Sequence, residues 1–309
     1  MPVKSTTVDV ACYGELLWDM LPGGALPGGA PMNVAYHVKK LGCSSALITR
    51  TGNDIAGDEL RMVLQQHGLP AMYVQKDGQY PTGLVTAIPQ PGGDMHYDIK
   101  TGVAWDQIEA GPAEALLVAG ASCFVFGSLA ARYAKSRQSL MMLLEAAQYK
   151  VLDINLRAPH YDQAIIAELL HKADMVKMNE QELALVAGWF ANYNHTTDQL
   201  LSLKDKFSIT ELLVTRGAHG AWLVTQGNLY THPGIAVTVA DTIGSGDAFL
   251  AAMLCQQLKG TLPAAALEFA SAVGAFIATK NGGCPQYNPE EIPFPPATTS
   301  MGNPHTIML

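Results

Sequence analysis

Residues 240–258 read A-D-T-I-G-S-G-D-A-F-L-A-A-M-L-C-Q-Q-L, a run of small residues that passes without a break into an apolar helical pattern. Gly244, Ser245 and Gly246 stand directly before a helix expected to open at Asp247 and to end at Leu258. With no bulky side chains in the way, consecutive backbone N–H groups can converge on an anion, and the positive end of the helix dipole favours negative charge there. A carboxylate in that place also reads as a plain N-cap. Phosphoryl transfer needs an anion cradle, a group to take a hydroxyl proton and a metal to spread charge. The turn and Asp247 offer the first two.

Outward from this join, strand-sized apolar runs recur at Val8 to Cys12, Ala46 to Thr49, Cys123 to Phe126, Val151 to Ile154, Met175 to Met178 and Leu212 to Thr215. Helical patterns lie between them, at Ala30 to Leu41, Asp58 to His67, Ala134 to Gln148, Tyr161 to Leu170 and Glu180 to Ala187. The alternation predicts an α/β fold with a largely parallel sheet covered on both faces, because parallel neighbours need crossover connections. Two stretches break the rhythm, 13–29 and about 80–105, where L-P-G-G, a second L-P-G-G and Q-P-G-G-D separate short alternating strands. They predict an antiparallel flap near the carboxyl ends of the parallel strands, where open α/β sheets bind ligands. An ordinary surface hairpin is the plainer alternative. One domain is expected over 1–291, with an irregular Pro-rich tail over 292–309.

At 309 residues and 49% hydrophobic, the chain can bury a substantial core. Lys plus Arg number 19 against 27 Asp plus Glu, a formal charge of −8, and no stretch gathers the basic residues into a nucleic-acid footprint. No apolar region suits a signal peptide and no window of about 18 apolar residues suits a bilayer, so neither membrane nor nucleic acid is an expected partner and a cytoplasmic setting is expected. Cys12, Cys43, Cys123, Cys255 and Cys284 are odd in number and lack a C-x-x-C pair, which argues for reduced, mostly buried thiols. The histidines show no metal-ligand spacing, and no G-x-G-x-x-G follows the first strand, which excludes a Rossmann-type dehydrogenase.

With Asp241 and Asp247 at its ends, D-T-I-G-S-G-D resembles the second signature of the ribokinase-like (PfkB) carbohydrate kinase family, which usually reads D-T-x-G-A-G-D. Ser245 replaces the usual Ala, a change the turn should tolerate because amides rather than side chains would form the anion hole. The resemblance extends over roughly residues 8 to 290. It implies a three-layer α/β/α fold with a mostly parallel sheet and a small β-sheet lid. It also implies Asp247 as catalytic base, Gly244, Ser245 and Gly246 as the cradle of the transferring group, and ATP as phosphoryl donor.

Other family marks follow in order. N-E-Q-E, from Asn179 to Glu182, is similar to the family's N-x-x-E, which implies that Asn179 and Glu182 act on magnesium, through its waters, and on phosphate. Read alone, the same residues form a capping box. V-T-R-G-A-H-G-A resembles the nucleotide-side loop, with Thr215, Gly217 and Gly220 at matching positions; the alternative is a glycine turn between strands. The helix from Pro263 to Lys280 and the N-G-G-C-P-Q after it resemble the adenine side, where Ser271 replaces an Asn common in relatives. Asp241 and Ile243 match a monovalent-cation site used by many members, with Gly282 as a third contact and Gln286 a departure. Potassium is a cofactor the resemblance allows.

At the other end of the chain, P-G-G-A-P-M-N-V-A resembles the family's first signature in its fructokinase-like form. A sugar needs acceptors for adjacent hydroxyls and a backbone that can come close; Asp19, Gly28, Gly29 and Asn33 offer both, and the resemblance implies that they contact it. Asp19 as a solvated charge and Asn33 as a first-turn cap are the alternatives. D-I-N-L-R resembles the family's D-x-N-x-R loop, with Arg157 suited to an oxyanion or to a structural salt bridge. Tyr97 and Trp105 could close over the sugar or pack in a lid or dimer core. The expectation is a fructokinase-like kinase of a small sugar, dimeric through the flap edges. Ribokinase, 2-keto-3-deoxygluconate kinase, or a non-catalytic sugar sensor with a kinase fold are the alternatives.

Overall fold

Alternate residues of the first strand, β1 (Val10–Tyr13), serve two different cores. Val10 and Cys12 pack on one side, Ala11 and Tyr13 on the other, and all four are fully buried. This is the pattern of a parallel strand covered on both faces. The computed structural model describes residues 7–21, 23–89, 95–190, 195–293 and 305–308.

Among the described residues, a ten-stranded sheet runs around β1. In chain order its other members are β4 (Ser45–Gly52), β5 (Val74–Asp77), β8 (Cys123–Gly127), β9 (Lys150–Asp153), β10 (Met175–Asn179), β11 (Glu211–Thr215), β12 (Ala221–Thr225), β13 (Asn228–His232) and β14 (His305–Met308). The spatial order is β5-β4-β1-β8-β9-β10-β11-β12-β13-β14. From β5 to β11 every neighbouring pair is parallel, and the remaining three strands add antiparallel. The chain builds outward from β1 to β4 and β5, then returns across β1 to start β8. That reversal leaves a crevice at the carboxyl ends of the strands.

Helices cover both faces. Among the described residues, α1 (Ala30–Lys40), α2 (Ile55–Gln66), α8 (Ser245–Leu258) and α9 (Pro263–Ala278) share one core. On the opposite face lie α3 (Pro112–Gly120), α4 (Ala134–Ala146), α5 (Gln163–Lys172), α6 (Glu180–Phe190) and α7 (Thr196–Phe207). Truncating one of the fully buried aromatics between sheet and helices, Phe124 or Phe126, would cost about 3–5 kcal/mol.

The flap is a separate four-stranded sheet of β2 (Leu17–Leu21), β3 (Gly24–Gly28), β6 (Gly83–Pro89) and β7 (Met95–Ile99), in the order β3-β2-β6-β7. It is not wholly antiparallel: two hairpins meet along a parallel β2–β6 pair, because their chains enter the flap from the same side. Trp105 is 1% exposed, lies in the main core and carries the Arg132 guanidinium 3.9 Å above its ring, so it does not close over a ligand. The tail does not stay irregular, since β14 pairs with β13: Thr306 and Ile307 suit a strand, and the edge of β13 supplies free backbone groups. All five cysteines are free, four of them buried. No helix among the described residues is long and apolar enough to cross a membrane.

Candidate active site

The helix α8 begins at Ser245, two residues ahead of the expected start, because Gly244 takes the left-handed conformation (φ +75°) and turns the chain into the helix. Asp247 therefore sits inside the first turn rather than at the cap. Among the described residues no side chain caps this terminus. A Cβ on Gly244 would collide with the backbone of Gly283, so only glycine fits this approach. The Ser245 hydroxyl donates to the Gly274 carbonyl of α9 at 2.9 Å and the Ser245 amide makes a long 3.3 Å bond to the Thr242 carbonyl, so no side chain of the turn occupies its amides. Asp241 holds the turn from behind, accepting the Ile243 amide at 3.0 Å and the Gly282 amide at 2.9 Å.

Asp247 is 9% exposed, and its Oδ2 accepts a 2.8 Å hydrogen bond from Asn33 Nδ2 on α1. Burial first, then the charge of Asp153, push its carboxyl up to about 6, against Lys177, Asn33 and Arg157. Beneath the turn, the Lys177 ammonium on β10 pairs with both oxygens of Asp153 on β9, at 3.0 and 3.3 Å. Burial alone would lower the pKa of Lys177, but the carboxylates of Asp153, Asp247 and Glu182 outweigh it and raise it.

Along the same strand ends, Asn179 and Glu182 form a reciprocal cap on α6: Asn179 Oδ1 accepts the Glu182 amide and Glu182 Oε2 the Asn179 amide, both at 2.8 Å. Glu182 Oε1 accepts the Leu156 amide at 2.7 Å, tying the D-I-N-L-R loop to α6. Burial raises the Glu182 carboxyl, against Lys177 and these amides. Among the described residues no group of three His, Cys, Asp or Glu could hold a metal unaided. The oxygens of Asn179 and Glu182 are hard donors that fit a magnesium ion brought in with its own phosphates and waters. Thr215 lies beside Asn179 in the sheet register, and the turn after it carries Gly217 (φ +55°) and Gly220 (φ +85°).

At the other end of the crevice, β2 and β3 place the Asp19 carboxylate over Gly28, where a Cβ would collide with Oδ2. Burial pushes Asp19 up to about 6, Arg157 opposing and Asp241 and Asp247 adding. Gly29 (φ +118°) caps α1 with its Cα against the Glu15 carbonyl, again leaving no room for a side chain. Glu15, on the loop after β1, is 3% exposed; its Oε1 accepts the Ala30 amide at 3.2 Å and its Oε2 has no partner among the described residues. Burial pushes Glu15 up to about 7. Arg157 is exposed and near enough to Glu15, Asp19 and Asp247 to lower all three.

The loop after α9 locks the two ends together. Buried His37 of α1 meets the Gly283 carbonyl through Nε2 at 2.9 Å and Tyr287 Oη through Nδ1 at 3.0 Å. A carbonyl only accepts, so Nε2 carries the proton and Nδ1 accepts from the phenol. Burial lowers His37 to about 4, so it stays neutral in this role. The Cys284 thiol donates to Asn33 Oδ1 at 3.2 Å, which orients the Asn33 amide toward Asp247.

Residues 22–290 match the pfkB family carbohydrate kinase. The chain belongs to this family. A fructokinase of Klebsiella pneumoniae is 29% identical over 293 residues, covering 87% of this chain and 92% of the relative. A sugar kinase of Pyrococcus horikoshii, solved with ATP, superposes with a TM-score of 0.76 at 26% identity over 89% of this chain and 94% of its own. The aminoimidazole riboside kinase of Salmonella enterica, solved with its riboside and an ATP analog, gives 0.77 at 25% identity over 92% and 98%.

The two pfkB signatures meet where Asn33, of the stretch that carries Gly28 and Gly29, bonds Asp247, of the stretch from Asp241 to Asp247; Asp19 is near enough to Asp241 and Asp247 to feel their charge, and Asn179 and Thr215 end the neighbouring strands β10 and β11. Ser271 does not offer a free hydroxyl, since it donates to Leu267 within α9 at 2.8 Å. The Tyr97 side chain lies outside the described residues. The sequence reading missed Lys177 and Glu15. A lysine inside the apolar run M-V-K-M was a signal for the first; Glu15 had none beyond its place after β1.

Proposed function

We propose that this pfkB kinase transfers the γ-phosphoryl group of ATP to a hydroxyl of a small sugar, fructose being the first candidate. One observation carries the reading: Asn33, from the sugar-side signature, donates directly to Asp247 in the uncapped first turn of α8, so acceptor and phosphoryl sites share a wall. Asp19 and Asn33 hold the sugar hydroxyls, with Gly28 and Gly29 letting the backbone come close. Asp247 takes the proton of the acceptor hydroxyl as its oxygen bonds to the γ-phosphorus and ADP leaves. The amides of Gly244, Ser245 and Gly246 oppose the charge on the migrating group, and Arg157 steadies it or an anionic sugar substituent.

The nucleotide lies over Asn179, Thr215, Gly217 and Gly220, with Ser271 and Gly282 on the adenine side. Asn179 and Glu182 would hold magnesium through its waters, where it spreads charge over the phosphates. Asp241 and Ile243, with Gly282, form a candidate potassium position. Unpaired thiols suit the reducing cytoplasm. Met20, Leu84 and Ile88 stand exposed on the small sheet, which favours a second copy packed there; a monomer mass at micromolar concentration would rule that out. Turnover coupled to ADP release, measured over fructose, ribose, 2-keto-3-deoxygluconate and adenosine, tests the substrate. Fructose should give the highest kcat/KM; silence across the panel, with thermal stabilisation by a sugar alone, would favour a sensor.

A further inference from the structure

Lys177 places an ammonium where a parallel strand otherwise buries apolar side chains. Its strand reads M-V-K-M-N, with Val176 and Met178 fully buried and Lys177 itself 6% exposed. A lone charge there would be costly, and Asp153, its register partner on β9, neutralises it. Sheet packing alone does not require the pair, since two apolar side chains of similar volume would fill the space with no loss of stability. The reason lies above it. The first turn of α8 crosses the ammonium so closely that a Cβ on Gly246 would stand 3.1 Å from Lys177 Nζ, and Asp247 is the next residue.

We propose, building on the reading of Asp247 as base, that Lys177 is a positioning residue of the phosphoryl-transfer centre. Held by Asp153 beneath Gly246, its charge offsets that of Asp153 and keeps the Asp247 carboxylate ionised at neutral pH. The charged groups facing Asp247 come from four directions: Asp153 from β9, Lys177 from β10, Arg157 from the loop after β9, and Glu15 from the loop after β1. Asp19 adds its charge from the flap, while Asn33 donates to the carboxylate and the neutral Cys284 thiol lies beside it. Lys177 stays protonated throughout; the titrating group is Asp247. Asp153 and burial push Asp247 toward its neutral form, and Lys177 leads the influences that oppose them.

The test is the pH profile of kcat/KM from pH 5 to 9 at saturating ATP and magnesium. Lys177→Met should move the acid limb up by about 1 unit, since one nearby opposite charge shifts a carboxylate by that order. Its deficit should reach roughly tenfold below pH 6.5 and close by pH 9. Asp153→Asn should move the limb the other way, and Lys177→Arg should hold it in place. If Lys177→Met does not fold, the double variant Asp153→Asn, Lys177→Met, which removes both buried charges, decides: its limb should lie above that of Asp153→Asn alone, and a limb unmoved from that variant would overturn the proposal. Losses of equal factor at every pH, with no limb moved, would overturn the proposal and leave Lys177 a purely structural ion. Asp247→Asn separates the two readings: retained turnover there defeats the base assignment, whereas an inactive Asp247→Asn beside unmoved limbs defeats only the role of Lys177.

Discussion

Two helices, α6 and α8, begin at the same crevice, yet they end their backbones in opposite ways. At α6, Asn179 and Glu182 satisfy each other's amides, and the second Glu182 oxygen is taken up by Leu156. At α8, no side chain caps the amides, glycine in the left-handed conformation makes the entry, and the acidic residue of the first turn bonds sideways to Asn33. A helix start satisfied by its own side chains has little left for a ligand. One left open at the end of a sheet keeps both its N–H groups and the positive end of its dipole for an anion. The difference separates a start already braced by its own side chains, left to meet magnesium through waters, from one whose backbone is open to an anion directly.

The contrast breaks first, if it is wrong, at Asp247. Asp247→Asn keeps the shape of the turn and removes the proton acceptor, so kcat should fall by about 10³-fold or more while sugar binding, followed by thermal shift, survives. Gly244→Ala should come next. A methyl at φ +75° is strained and collides with Gly283, so the amides would shift out of line and kcat should fall by about 10²-fold. A Gly244→Ala enzyme with normal turnover would show that the open turn does not hold the phosphoryl group.

The contrast also explains what the sequence disclosed. Glycines before an apolar run announced the turn, and apolar runs placed β8, β9, β10 and β11 nearly to the residue, because strands buried on both faces have little freedom in composition. What stayed hidden depends on register across strands. Lys177 and Asp153 are 24 residues apart, and only the parallel pairing of β9 with β10 brings them together. The start of α8 was misplaced because a left-handed glycine can open a helix as well as end one, and the string G-S-G-D does not say which glycine turns. The parallel seam of the flap was equally invisible, since glycine turns mark hairpins but not how two hairpins join.

A third helix start, at α1, extends the comparison, for Glu15 reaches in from the loop after β1 to accept the Ala30 amide. Its carboxyl is raised from 4.5 to about 7, so the folded chain holds this proton more tightly than the unfolded one. The resulting stability is present below about pH 4.5 and is lost as pH climbs through about 7. Glu15→Gln should therefore melt a few degrees above the parent at pH 8, with the gain vanishing toward pH 4.5. A gain independent of pH would mean that Glu15 is ionised at no cost. Asn179→Ala removes the cap of α6 and should lower stability by about 1 kcal/mol in denaturant titration. Its kcat should fall as well, since Asn179 is placed on the nucleotide and magnesium; an unchanged kcat beside the lost stability would leave Asn179 a cap of its helix alone.

The smallest effect is expected from Ser245→Ala, which restores the alanine common in this motif. The hydroxyl reaches the Gly274 carbonyl, not the crevice, so its removal should cost about 1 kcal/mol or less through the α8–α9 contact, seen as a lower denaturant midpoint. Gly274 shows how close that contact is, since a Cβ there would stand 3.3 Å from Phe249 Cβ and 3.4 Å from the Ser245 carbonyl. Serine at this position therefore ties the open turn to α9 without entering the site. A fall in kcat as deep as that of Gly244→Ala would reverse this, placing the hydroxyl itself on the transferring phosphoryl group.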